Sequence, residues 1–149
     1  MRILVVEDDQ MTRDAAQAML EELGFTVFCA DSVADAHIRL QEHFTHLLCD
    51  LHLPDGDGVE IIRYAKRVNT NIRIVAYTGS IPSTLHGRTF AAGADAVLMK
   101  PVGLTQVMAA LMPVKTRTPS SKFNFRRTIS NLKQRTSTSL ETSLFGATS

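Results

Sequence analysis

Cysteine is scarce: the 149 residues contain two, Cys29 and Cys49, each inside an apolar, strand-like run. Two cysteines in a chain of this size make no disulfide scaffold, and their spacing excludes a metal knuckle, so both read as buried hydrophobes. Long apolar runs are missing too; none approaches the roughly 20 residues needed to span a bilayer. No secretory segment is expected, because Arg2 is followed after four apolar residues by Glu7, Asp8 and Asp9. These absences point to a soluble, cytoplasmic protein without membrane contact. His37, His43, His46 and His86 lack metal-ligand spacing and read as surface or packing residues. The methionines at helical spacing read as core filler. Net charge is small as well, +1, and by itself implies no acidic partner.

That small total conceals a split. Residues 1–114 hold 9 Lys and Arg against 14 Asp and Glu, whereas residues 115–149 hold 7 against the single Glu141, giving −5 and +6. The length suits one domain with a true core, placed at 1–114. Beyond it, Ser and Thr dominate and apolar residues thin out, so 115–149 is expected to be a basic tail, flexible or docking on a partner. It is shorter than a usual winged-helix output domain and carries no convincing helix-turn-helix pattern. Nucleic-acid contact through Arg126, Arg127, Lys133 and Arg135 is an alternative use of the same charge.

Five aliphatic runs alternate with five helical patterns. The runs are Ile3–Val6, Phe25–Cys29, His46–Cys49, Ile72–Tyr77 and Ala96–Met99, the first continuous rather than alternating, as in a strand buried on both faces. The first helix is expected over about Met11–Leu23 with Ala15, Ala18, Met19 and Leu23 on its apolar face and Gly24 as its stop. Ser32 reads as an N-cap with Asp35 completing a box-like pattern. A loop with Pro54, Gly56 and Gly58 leads into the third helix, and Leu104, Val107, Met108 and Leu111 stripe the fifth. The alternation predicts an α/β fold of three layers, a five-stranded parallel sheet covered by helices on both faces, for which a doubly wound, flavodoxin-like strand order of 2-1-3-4-5 is expected.

In such sheets the working site lies at the carboxyl ends of the strands. That rule selects Glu7, Asp8, Asp50, Thr78 and Lys100. Three gathered carboxylates call for a cation, and an oxygen-only donor set favours Mg²⁺, with Mn²⁺ as a substitute. An Asp carboxylate beside a metal and an ammonium can attack phosphorus, and Thr78 can donate a hydroxyl to the phosphoryl group. Asp9 and Asp55 read as cap and loop residues.

The segments Ile3–Asp9, Cys49–Gly58, Tyr77–Gly79, Ala92–Asp95 and Lys100–Pro101, in this order and spacing, resemble the receiver domain of two-component response regulators over about residues 1–112. The resemblance implies that Asp50 is the phosphoacceptor. It implies that Asp8, Asp50, Glu7 (directly or through water) and the His52 backbone carbonyl hold the metal. Thr78 and Lys100 would sense the phosphoryl group, and the Lys100–Pro101 bond would be cis. The donor would be a histidine kinase or histidine phosphotransfer protein, the output an unidentified protein partner met through helix four, strand five and helix five, and a phosphorylation-dependent homodimer is within the family's range. Such a protein is no enzyme beyond its own phosphorylation and dephosphorylation. Two positions depart from the family pattern: Val97 stands where an aromatic is common, and His52 stands two residues past the acceptor, where members tune the access of water. The rival readings are a transcription regulator using the tail on DNA, and a phosphatase with an Asp nucleophile of the haloacid dehalogenase type. The second of these carries an Asp where this chain has His52.

Overall fold

Period-two alternation along the central strands sorts their side chains onto two faces, and each face meets its own layer of helices. The computed structural model describes residues 1–113; the expectations for the tail fall outside them. The elements run β1 (Arg2–Val6), α1 (Gln10–Glu22), β2 (Thr26–Ala30), α2 (Val33–Arg39), β3 (His46–Cys49), β4 (His52–Leu53), β5 (Gly56–Asp57), α3 (Gly58–Val68), β6 (Arg73–Thr78), α4 (Ser83–Ala92), β7 (Ala96–Met99) and α5 (Leu104–Leu111). Five strands form one parallel sheet in the order β2-β1-β3-β6-β7, which is the expected 2-1-3-4-5 when only the long strands are counted. The antiparallel pair β4–β5 is an addition, folded from the loop around Pro54.

On one face Leu4, Val6, Leu47, Cys49, Ile74 and Ala76 pack against Ala36, Ile61, Ile62, Ala65 and Ala92 of α2, α3 and α4. On the other, Ile3, Val5, Leu48, Val75 and Tyr77 meet Ala16 and Leu20 of α1 and Val107, Ala110 and Leu111 of α5. Burying each Leu or Ile stabilises by about 1.5–3 kcal/mol, and β1 from Ile3 to Val6 and all of β3 are buried because both their faces are covered.

Local signals act largely as expected, with corrections. Asp9 caps α1, accepting from the Thr12 amide at 2.8 Å and its hydroxyl at 2.7 Å; these bonds lower the Asp9 pKa. Gly24, at φ 84°, follows the C-terminus of α1 in a conformation other residues rarely adopt. Of the expected apolar face of α1, Met19 and Leu23 pack against the core, but Ala15 and Ala18 are exposed and Ala16 and Leu20 take the buried positions. Ser32 accepts from the Asp35 amide at 3.2 Å, but the Asp35 carboxylate turns to Arg39 at 3.2 Å instead of closing a box. The α2 terminus is capped from afar, by Asp55 accepting from the Val33 and Ala34 amides at 2.8 and 3.0 Å. Those two bonds hold the Asp55 carboxyl below its ordinary value.

Cys49 is buried and its thiol pushed up by desolvation, whereas Cys29 is only partly buried, with its Sγ 3.5 Å from Gln17 Oε1. Of the methionines on helices, Met19 packs against the core, whereas Met11 and Met108 are exposed, at the strand-end edge and on the outer side of α5. His46 is a packing histidine, edge-on to Phe25 at 5.0 Å, its pKa lowered by burial. Among the described residues, no helix is long and apolar enough to cross a membrane.

Candidate functional site

Strands β1, β3, β6 and β7 are parallel, so their carboxyl ends fall along one edge of the sheet. Glu7 and Asp8 follow β1, Asp50 follows β3, Thr78 ends β6, and Lys100 follows β7. The fold therefore gathers residues separated by up to 93 positions. One ligand oxygen each of Glu7, Asp8 and Asp50 lies within 4.8 Å of the others. Glu7 is 1% and Asp50 5% exposed, while Asp8 faces solvent.

Lys100 Nζ donates to Asp50 Oδ2 and to Glu7 Oε2, both at 2.6 Å. Burial alone would lower the Lys100 pKa, but the hydrogen bonds and charges of Asp50 and Glu7 outweigh it and hold the ammonium above its ordinary value. Three carboxylates against one ammonium leave excess negative charge in a largely buried cleft. A compact, oxygen-only donor set of this kind fits a hard divalent cation such as Mg²⁺. The Lys100–Pro101 peptide is cis.

The backbone around the acids is braced. Arg13 donates to the carbonyl of Glu7 at 2.7 Å and to that of Asp8 at 3.2 Å. The Asp9 amide donates to Glu7 Oε1 at 3.1 Å, and the His52 amide to Asp50 Oδ1 at 3.1 Å. Behind Asp50, α3 begins so close that a Cβ on Gly58 would lie 2.1 Å from the Asp50 carbonyl oxygen; only glycine fits.

Thr78 is fully buried, and its hydroxyl donates to the Ser80 carbonyl at 3.2 Å rather than to the acids. The His52 ring meets the same carbonyl through Nε2 at 3.2 Å. Ser80 thus ties His52, at the start of β4, to Thr78, which ends β6. Val97 packs against the α2–α3–α4 side of the core, with no hydroxyl or ring to report on Thr78.

Three residues at the site carry little or no signal in the sequence. Tyr77 donates its hydroxyl to Glu7 Oε2 at 2.7 Å, and burial followed by that acid pushes its pKa upward. Its one signal was a phenol next to last in a strand whose middle, Ile74 to Ala76, is aliphatic. Arg13, six residues beyond Glu7, and Ser80, in the loop after β6, had none. Tyr77 and Lys100 also line an apolar groove of about 650 Å³, together with Met11, Ala15 and Met19 of α1 and Val107 of α5.

The chain matches known proteins over nearly all its described residues. The model of the response regulator receiver domain matches residues 3–112. The cell cycle transcriptional regulator CtrA of Caulobacter vibrioides is 31% identical over 119 residues, covering 78% of this chain and 51% of CtrA. The sensor histidine kinase AruS of Pseudomonas aeruginosa is 34% identical over 125 residues, covering 80% of this chain and 12% of the kinase. The chain thus spans about half the length of CtrA, and far less of AruS. Among solved structures, a CheY-like receiver domain protein from Methanospirillum hungatei aligns with a TM-score of 0.70 at 30% identity, over 72% of this chain and 86% of that one. A Burkholderia pseudomallei response regulator with a phosphorylated aspartic acid and a calcium ion aligns with a TM-score of 0.70 at 26% identity, over 75% and 66%. A parallel sheet in the order 2-1-3-4-5, acids and a lysine converging at its carboxyl edge, and a family match across nearly all the described residues lead to one assignment: the chain belongs to the response-regulator receiver domain family.

Proposed function

We propose that this chain is a phosphorylation switch in which Asp50 accepts a phosphoryl group from a histidine kinase or histidine phosphotransfer protein. The observation that carries this reading is the placement of Asp50: nearly buried, 2.6 Å from Lys100, and sharing a compact acid cluster with Glu7 and Asp8. An Asp50 carboxylate oxygen attacks phosphorus, the P–N bond of the phosphohistidine breaks, and the imidazole leaves with its electron pair. Lys100, already at the carboxylate, neutralises charge on the phosphoryl oxygens. Glu7, Asp8, Asp50 and the His52 carbonyl would hold Mg²⁺ or Mn²⁺, which when bound supplies further positive charge to those oxygens. Water later cleaves the acyl phosphate; the chain turns over no external substrate.

The response passes through Thr78. Its hydroxyl leaves the Ser80 carbonyl for the phosphoryl group, which leaves that carbonyl to the His52 ring among the described side chains. Phe90 of α4, Met99 of β7, and Leu104 and Met108 of α5 are exposed apolar residues, suited to a protein partner on that face. The names of CtrA and of the transcriptional regulatory protein PhoP favour a second reading, in which phosphorylation controls DNA binding. A gel shift with the phosphorylated full chain distinguishes the two readings.

Intact mass after incubation with acetyl phosphate and Mg²⁺ tests the acceptor. Wild type gains about 80 Da, one phosphoryl group, and Asp50→Ala gains nothing. A gain that persists in Asp50→Ala refutes the assignment.

A further inference from the structure

Glu7 is the most heavily engaged acid of the cluster. Its Oε1 accepts from the Asp9 amide at 3.1 Å, and its Oε2 accepts from both Tyr77, at 2.7 Å, and Lys100, at 2.6 Å. At 1% exposure, protein donors rather than bulk water must satisfy this carboxylate. Lys100 is shared with Asp50, whereas among the described residues the Tyr77 hydroxyl belongs to Glu7 alone. The Lys100 Nζ also sits 4.5 Å from the centre of the Tyr77 ring, within cation–π range. One side chain therefore touches both partners of Asp50's neighbourhood: Glu7 through its hydroxyl and Lys100 through its ring.

A phosphoryl group on Asp50 changes the demand on Lys100. New anionic oxygens beside the ammonium compete with Glu7 for its three N–H donors, and charge-assisted bonds to phosphoryl oxygens are strong. When Lys100 turns toward them, Oε2 of Glu7 keeps one protein donor, the Tyr77 hydroxyl. We propose that Tyr77 is a positioning residue for phosphoryl transfer, holding the Glu7 carboxylate toward the metal site while Lys100 moves to the phosphoryl group. This role rests on the reading of Asp50 as the acceptor. It belongs to the hydroxyl; the ring separately supports the ammonium. Hydrogen-bond partners behind a metal ligand fix its orientation, and losing one commonly costs about 10–100-fold in metal affinity.

The test uses the full chain with Tyr77→Phe, which keeps the ring and removes only the hydroxyl. MgCl₂ affinity is read from the shifts of the Asp8 and Asp50 amides in ¹H–¹⁵N spectra, and the acetyl phosphate reaction is followed against MgCl₂. Tyr77→Phe is expected to weaken Mg²⁺ binding about tenfold and to raise the half-saturating Mg²⁺ of phosphorylation in step, with excess MgCl₂ offsetting the loss. An unchanged Mg²⁺ midpoint overturns the role, as does a lower maximal rate with the midpoint unmoved. A second measurement needs no variant. The chain has two tyrosines, Tyr64 and Tyr77, so ¹³Cζ-tyrosine labelling yields two resonances. On phosphorylation the Tyr77 signal should move and that of Tyr64 should stay; a static Tyr77 signal also overturns the role. Phosphoryl uptake that survives Asp50→Ala would defeat the acceptor reading instead, so the two failures are distinguishable.

Discussion

Replacing Gly58 by alanine sets two forces against each other at the start of α3. Helix propensity favours the change by up to about 1 kcal/mol, and the Gly58 φ lies outside the left-handed range, so the alanine backbone itself is unstrained. Packing opposes it. The new Cβ would sit 2.1 Å from the Asp50 carbonyl oxygen and 2.8 Å from the Leu51 Cα, both backbone atoms, with buried Leu51 and Val59 leaving them little room to retreat. Relieving the contact requires about 1 Å of separation between α3 and the end of β3, an overpacking cost of about 1–3 kcal/mol. The same separation stretches the 3.0 Å bond from the Gly58 amide to the Leu51 carbonyl, worth about 1 kcal/mol. Net destabilisation of about 1–3 kcal/mol follows, measured by urea unfolding with the slope unchanged. Because the displaced peptide is that of Asp50, the acetyl phosphate reaction should slow by about 10–100-fold, the scale expected for a shift of about 1 Å in a reacting group. A Gly58→Ala protein as stable as wild type, or more so, with normal phosphorylation would refute the argument.

Four further outcomes are expected. Lys100→Met strips the shared ammonium from Glu7 and Asp50, so its Tm falls in metal-free buffer and rises more with MgCl₂ than wild type does; equal Mg²⁺ gains in calorimetry would count against it. Asp55 has a folded pKa below its ordinary 3.8, so its stabilisation is present above that value and fades as pH falls through the folded pKa; Asp55→Asn should flatten the acid side of the Tm–pH curve below about pH 4. Thr78→Ala should still be phosphorylated on Asp50, but amide shifts of Gly79 and Ser80 on phosphorylation should shrink, and full-sized shifts would exclude Thr78 as the relay. Phe44→Ala opens a cavity beside Phe28, whose ring centre lies 5.4 Å away, and should cost about 3–5 kcal/mol in denaturant unfolding.

The parallel sheet and the positions of its acids were legible in the sequence because both follow from short-range rules. Continuous apolar runs such as Ile3–Val6 and Leu47–Cys49 can be strands only if both faces are covered, and the βαβ handedness then places Glu7, Asp8, Asp50, Thr78 and Lys100 at one edge. Caps within reach of their own helix, Asp9 and Ser32, were equally readable. Other features depend on where separate segments meet. The apolar face of α1 centres on Ala16 and Leu20 because α1 docks beside α5 and β2, and small alanines on either side of that face leave the rotation undetermined by periodicity alone. Asp55 caps a helix 22 residues earlier, Ser80 joins His52 to Thr78 across 28 residues, and Tyr77 reaches Glu7 across 70. Hydrogen bonds of this kind have no sequence period. They form only when the sheet register brings donor and acceptor within about 3 Å, and the tertiary structure alone decides that.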